Sequence, residues 1–219
     1  MNNLQQALGN IDIYLFDQLL KGTFDNCRDI LDAGCGGGRN IIYFLKNGFN
    51  VHGIDTNPEV VEQVKQLAAQ LAPKLRADNF KVARAEYLPF ADNTFHLVIS
   101  SAVLHFANDH NHFDDMLRSM WRVLKPGGYM FARLASTIGI TDKVQELGNG
   151  CYVLPDGSQR YLVDEDMLME YTADLGGELF EPIKTTNVQG LRCMTTWCLR
   201  KTGNKQQPPP AKKPSKTLF

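Results

Sequence analysis

The chain has no apolar run long enough to cross a bilayer, and its first residues, Met1-Asn2-Asn3-Leu4-Gln5-Gln6, lack the basic start and apolar stretch of a signal peptide. It also lacks a charge of one sign: 23 Lys and Arg stand against 24 Asp and Glu, a formal net charge of −1. No sequence-wide field draws it to nucleic acid or anionic lipid, so neither is expected as a partner. Paired cysteines are missing too. The five cysteines, at 27, 35, 151, 193 and 198, contain no Cys-x-x-Cys spacing and leave one over in any disulfide scheme, which suits a reducing compartment and predicts a cytoplasmic protein. Repeats are absent. What remains is a chain of 219 residues, 43% apolar, long enough for one domain with a full core.

The most informative segment is 30–40, Ile-Leu-Asp-Ala-Gly-Cys-Gly-Gly-Gly-Arg-Asn, where a short apolar run meets a glycine-dense turn and then a helix start. Backbone at Gly34, Gly36 and Gly38 can approach a ligand closely, and the following helix N-terminus favours anionic groups. Dinucleotides and S-adenosylmethionine both use such a turn. The dinucleotide fingerprint needs a third glycine or alanine; that slot holds Arg39 counted from Gly34 and Gly36, and Ile41 counted from Gly36 and Gly38. Asp32, Gly34, Gly36 and Gly38 instead satisfy Asp-x-Gly-x-Gly-x-Gly. In this the chain resembles the class I S-adenosylmethionine-dependent methyltransferases.

Apolar spacing predicts an amphipathic helix over 10–22 that can lie over the ligand turn as a lid. Strands are predicted at 29–33, 50–54, 80–83, 97–101 and 129–134. Helices are predicted at about 40–47, from Asn57-Pro58 through Leu71, and around 113–124 before Pro126-Gly127-Gly128 breaks the pattern. This alternation implies an α/β fold, a Rossmann-like, mostly parallel sheet with helices on both faces and ligands at the carboxyl ends of the strands. A helix at 164–175 precedes strands at 178–183 and 193–199. No helix fits between those two, so they pair antiparallel and complete a seven-stranded sheet. From 203 to 219 the composition turns to Pro, Lys and Gln, predicting a disordered tail after a domain spanning 1–202.

Asp55 closes the second strand about twenty residues past the turn, where a carboxylate can accept from both hydroxyls of a ribose; the competing role is a helix cap. Residues 83–106, with Ala83-Arg84-Ala85-Glu86, Leu88-Pro89-Phe90 and Leu104-His105, resemble the adenine loop and fourth strand of small-molecule methyltransferases, whose usual form has Gly-Asp-Ala-Glu, Leu-Pro-Phe, Phe-Asp and a Leu-His pair. Two positions depart: Arg84 replaces the usual acid, and His96 the usual Asp. A guanidinium cannot accept the adenine amino proton, which leaves backbone around Ala85 and Glu86 to read the base. Trp121 to Gly128 matches the family's turn into strand five, a structural motif.

The resemblance covers roughly 10–200. It implies S-adenosylmethionine as cofactor, with contacts from Tyr14, Asp32, Gly34, Cys35, Gly36, Gly38, Arg39, Asp55, Thr56, Ala85, Glu86 and Ser101. It also implies a small-molecule acceptor, the chain looking most similar to tellurite-resistance-type methyltransferases. His105, His110 and His112 with Asp109 and Asp114 raise a metal hypothesis, but nothing fixes their spacing, and a polar loop without metal is the expected reading. His105 follows strand four directly and is the candidate catalytic residue, orienting the acceptor or taking its proton; the alternative is a packed histidine. Methyl transfer needs alignment more than a base, so no triad is expected. The rival classes are a non-catalytic cofactor-binding or interaction protein and, more remotely, a nicotinamide oxidoreductase.

Overall fold

The computed structural model describes residues 3–203; apart from Gly203, the predicted tail lies outside the described residues. Two short helices lead in, α1 (Asn3–Leu8) and α2 (Ile13–Leu20). The predicted lid helix starts later than expected because Asp12 is its cap, accepting from Tyr14 N at 3.0 Å. Then β1 (Asp29–Ala33), α3 (Ile42–Lys46), β2 (Asn50–Asp55), α4 (Pro58–Leu71), β3 (Phe80–Val82), β4 (Phe95–Ser101), α5 (His110–Val123) and β5 (Leu124–Ser136) alternate as expected. Residues 30–33 are all buried, the signature of a strand covered on both faces. Asn57 caps α4, its side chain accepting from Glu59 N at 2.9 Å, and Pro58 follows where no N–H is needed.

The main sheet runs β3, β2, β1, β4, β5 with parallel neighbours, and this order reverses direction between β1 and β4, opening a crevice at their carboxyl ends. Beyond β5 the single strand expected at 178–183 is two: β9 (Gly177–Leu179) and β10 (Lys184–Val188), both antiparallel to the last strand, β11 (Arg192–Lys201). Pro182 lies between them, and a residue with no N–H interrupts a ladder. The sheet therefore has eight strands.

Unforeseen is a separate antiparallel meander of β6 (Gln145–Gly148), β7 (Cys151–Val153) and β8 (Gln159–Tyr161), followed by α6 (Glu165–Asp174). Its first turn is Asn149-Gly150, both at positive φ (54° and 82°), the hairpin signal that the sequence did contain. The core fills both faces of the main sheet. Leu15, Phe44, Val61 and Val64 pack under α2, α3 and α4, while Phe113, Leu117, Met120, Leu168 and Trp197 pack under α5 and α6. Among the described residues no helix is long and apolar enough to cross a membrane.

Candidate functional site

The turn after β1 is docked on β2: Gly34 N and Cys35 N both donate to Ile54 O at 2.8 Å. Gly34 has φ +91°, and a Cβ there would lie 2.4 Å from Val103 Cγ2. Gly38, at φ +82°, brings the helix start against α4, where a Cβ would meet Leu67 and Val64 at 2.9 and 3.0 Å. These are the positive φ and close approach for which glycine is needed. Cys35 is buried, with Sγ 3.0 Å from where a Cβ on Gly53 would sit; burial raises its thiol pKa, so its expected cofactor contact reduces to its backbone.

Two carboxylates serve this turn. Asp55 Oδ2 accepts from Gly36 N and Oδ1 from Asn57 N, both at 3.0 Å. Because Asn57 is the cap of α4, Asp55 is not a helix cap; it lines the cleft. Asp32 is 1% exposed, and neither of its oxygens has a hydrogen-bond partner. Burial pushes its pKa up to about 7, Arg39 opposing and Asp55 adding to the rise. A carboxyl so placed gains from a cationic neighbour.

A cleft of about 520 Å³ lies against the turn. Of the expected residues, Gly34, Asp55, Thr56, Ala85 and Glu86 line it; Arg84, Val103, Phe106, His112 and Met116 also do and were not foreseen as contacts. Ala102, at φ +63° and with its N–H donating to Arg133 O at 2.7 Å, turns the chain after β4 so that Val103 meets the glycine turn. A left-handed non-glycine residue of this kind costs on the order of 1 to 3 kcal/mol and collects at functional sites.

Tyr14, Arg39 and Ser101 come together elsewhere, around a residue the sequence reading passed over. Asp12, with its side chain fully buried, accepts from Arg133 Nη1 at 2.7 Å and from Ser101 Oγ at 3.4 Å. Arg39 Nη2 donates to Ser101 Oγ at 3.1 Å. Tyr14 shares a hydrogen bond with Thr186 Oγ1 at 2.7 Å, and its ring lies 5.2 Å from the Arg133 guanidinium. These contacts seat α2 on the ends of β4, β5 and β10. The only sequence signal for Asp12 was its place just ahead of a helical period.

His105 is 5% exposed and its Nδ1 accepts from Ala135 N at 3.1 Å. Burial, with Arg160 a smaller cause, lowers its pKa to about 4. Near neutrality the ring is uncharged with its proton on Nε2, so the expected proton-accepting role is corrected to that of a donor. His110 shares a hydrogen bond with Tyr161 OH at 2.7 Å, and His112 Nδ1 accepts from Asn108 N at 3.1 Å. The three histidines thus serve three different partners, and among the described residues no group of three or more His, Cys, Asp or Glu could hold a metal. His96, expected to face solvent, instead accepts from Asp29 N at 3.2 Å.

Residues 31–132 match a family model described as a methyltransferase domain. A malonyl-[acyl-carrier protein] O-methyltransferase of Enterobacter lignolyticus is 30% identical over 118 residues, 54% of this chain and 41% of the relative. The uncharacterized methyltransferase YodH of Bacillus subtilis is 34% identical over 101 residues, 46% of this chain and 40% of the relative. The matched segment therefore spans about two fifths of each relative's length. In fold, the chain superposes on 1,6-didemethyltoxoflavin-N1-methyltransferase of Burkholderia thailandensis, solved with 1,6-didemethyltoxoflavin and S-adenosylhomocysteine. The TM-score is 0.66 at 16% identity, covering 92% of this chain and 82% of that one.

The residues present fit S-adenosylmethionine. Asp55 stands ready for a ribose, the cleft has room for a nucleoside, and the unpartnered Asp32 suits a cationic amino acid end. The domain match begins inside β1 and ends inside β5, framing the turn, the cleft and the strand order described above. The chain thus belongs to the class I S-adenosylmethionine-dependent methyltransferases.

Proposed function

We propose that the protein, as one domain over residues 1–202, transfers a methyl group from S-adenosylmethionine to a small-molecule acceptor in the cytoplasm, with neither nucleic acid nor membrane as partner. The observation that carries this reading is Asp32, a buried carboxyl with no hydrogen-bond partner beneath the glycine turn. A pyrophosphate brought there would meet an acid, whereas a ligand bearing ammonium and sulfonium groups would relieve it. The balanced charge of the chain and its five free cysteines support the choice of partner and compartment.

When bound, the cofactor supplies an electrophilic methyl on sulfur. The chain's own part is alignment and exclusion of water. Asp55 holds the ribose end, and α2, pinned through Asp12 to Arg133 and through Tyr14 to Thr186, covers the strand ends. His105, its Nδ1 occupied by Ala135 N, offers Nε2–H to orient the acceptor. Calorimetric titration with S-adenosylmethionine, S-adenosylhomocysteine and NAD tests the cofactor, and mass spectrometry of S-adenosylhomocysteine release across an acceptor panel tests turnover. Heat of binding from NAD alone would overturn the reading. Tight cofactor binding with no turnover on any acceptor would favour the rival, a non-catalytic binding protein, which the arginine at position 84 in place of the family acid makes worth separating.

Two substitutions sharpen the test. Asp55→Ala should weaken cofactor binding by about 1.5 to 3 kcal/mol, the range for hydrogen bonds to a charged group, with an unchanged thermal transition. His105→Ala should lower turnover with an identified acceptor by roughly a hundredfold, the penalty for a misplaced reactant, while cofactor affinity stays as it was. Full turnover in that variant would reduce His105 to a packing residue.

A further inference from the structure

The cleft holds a second carboxylate. Glu86 sits in the short helical turn 85–87 with its side chain 8% exposed, and it lines the cleft beside Arg84, Ala85 and His112. Arg84 Nε donates to its Oε1, and His112 Nε2 lies 3.4 Å from the same oxygen. Burial opposes its charge, but its own backbone N–H, Arg84 and His112 outweigh that and hold the carboxyl below the usual range. His112 is itself fixed, with Nδ1 on Asn108 N and its own N–H donating to Asp109 Oδ1 at 2.8 Å. The segment that follows is clamped to α5: Leu88 N donates to Ser119 Oγ at 3.1 Å, and Arg122 donates to Leu88 O and Phe90 O, each at 2.8 Å. Ala83, Ala85, Val103 and Met116 supply apolar lining for a flat ring.

Arg84 has only donors. We infer that the acceptor it cannot provide stands two residues further on: Glu86, positioned by Arg84 and His112, accepts from the exocyclic amino group of the purine and makes this cleft select adenine over a base without that group. This assignment rests on the S-adenosylmethionine reading of the cleft and adds a residue-level account of how the base is chosen.

The test is calorimetry on the full chain with S-adenosylhomocysteine and its 6-deamino counterpart, in which purine replaces adenine. The unsubstituted protein should bind the adenine compound roughly tenfold to a hundredfold more tightly, the ratio for one charge-assisted hydrogen bond. Glu86→Ala should bring that ratio near one by weakening the adenine compound alone, whereas damage to the fold would weaken both compounds alike. Glu86→Gln keeps the shape and should give an intermediate ratio, which serves if the alanine variant does not fold. Arg84→Ala and His112→Ala should each shrink the ratio in part, and Arg84→Lys should restore it. A ratio unchanged in Glu86→Ala, or near one in the unsubstituted protein, overturns the assignment and leaves the cofactor reading standing. Failure of the unsubstituted protein to bind either compound overturns both.

Discussion

Asp32→Asn is expected to stabilise the ligand-free protein at pH 8 by about 1 to 3 kcal/mol while weakening cofactor binding at least tenfold. The carboxyl is buried and without hydrogen-bond partners, and its pKa is pushed up to about 7, chiefly by burial. In the unfolded chain it titrates near 3.9. Between those values the folded protein holds a proton that the unfolded chain has lost, so stability falls as pH rises through this window and the deficit is complete above it. Each pKa unit corresponds to about 1.4 kcal/mol, which sets an upper bound near 4 kcal/mol, and the unpartnered amide introduced by Asn takes back part of it. Urea unfolding of both proteins at pH 5 and pH 8 checks this. The variant's advantage should be present at pH 8 and small at pH 5, where Asp32 is protonated and resembles the amide. An equal difference at both pH values would mean that Asp32 stays ionised in the fold. The loss of affinity follows from the same cause, since a cationic ligand gains most from the carboxyl that costs the free protein most.

What could be read from the chain is what its chemistry places close together in sequence. Residues 29–33 form a strand at the expected bounds because a continuous apolar run ends in glycine, and Asp55, one residue beyond the second predicted strand, closes β2 as its last residue. The cleft residues Ala85 and Glu86 lie inside a contiguous motif. The seat of α2 was not readable, because Asp12 and Arg133 are 121 positions apart and neither sits in a motif. The pairing of Glu86 with His112 joins a loop to a helix that the sequence could only call polar. Strands of three or four residues in the meander are too short to show a period of two, although Asn149-Gly150 marked the turn. His105 was located correctly after β4, but its tautomer depends on Ala135 N, a backbone group thirty positions away that no residue type reveals.

Gly34→Ala is expected to cost about 3 kcal/mol or more in stability and to abolish cofactor binding, because two separate penalties fall on the same atom. At φ +91° an L-residue is strained whatever surrounds it, by roughly 1 to 2 kcal/mol. The added Cβ would also stand 2.4 Å from Val103 Cγ2, closer than real contacts allow. Val103 cannot readily give way: it is β-branched and stiff at χ1, and it follows Ala102, already left-handed and tied to Arg133 O. The turn would have to move instead. That pulls Gly34 N and Cys35 N off Ile54 O and Gly36 N off Asp55, the contacts that shape the cradle. A cycle with Val103→Ala separates the two penalties. The double variant should recover the steric share, a coupling of about 1 to 2 kcal/mol, and retain the dihedral share, which no change at position 103 can relieve. Denaturant unfolding of the four proteins, with S-adenosylhomocysteine titrations alongside, gives both quantities. Strict additivity, or a Gly34→Ala protein that binds the nucleoside normally, would show that the turn relaxes without cost and that the glycine is not what brings Val103 to the cradle.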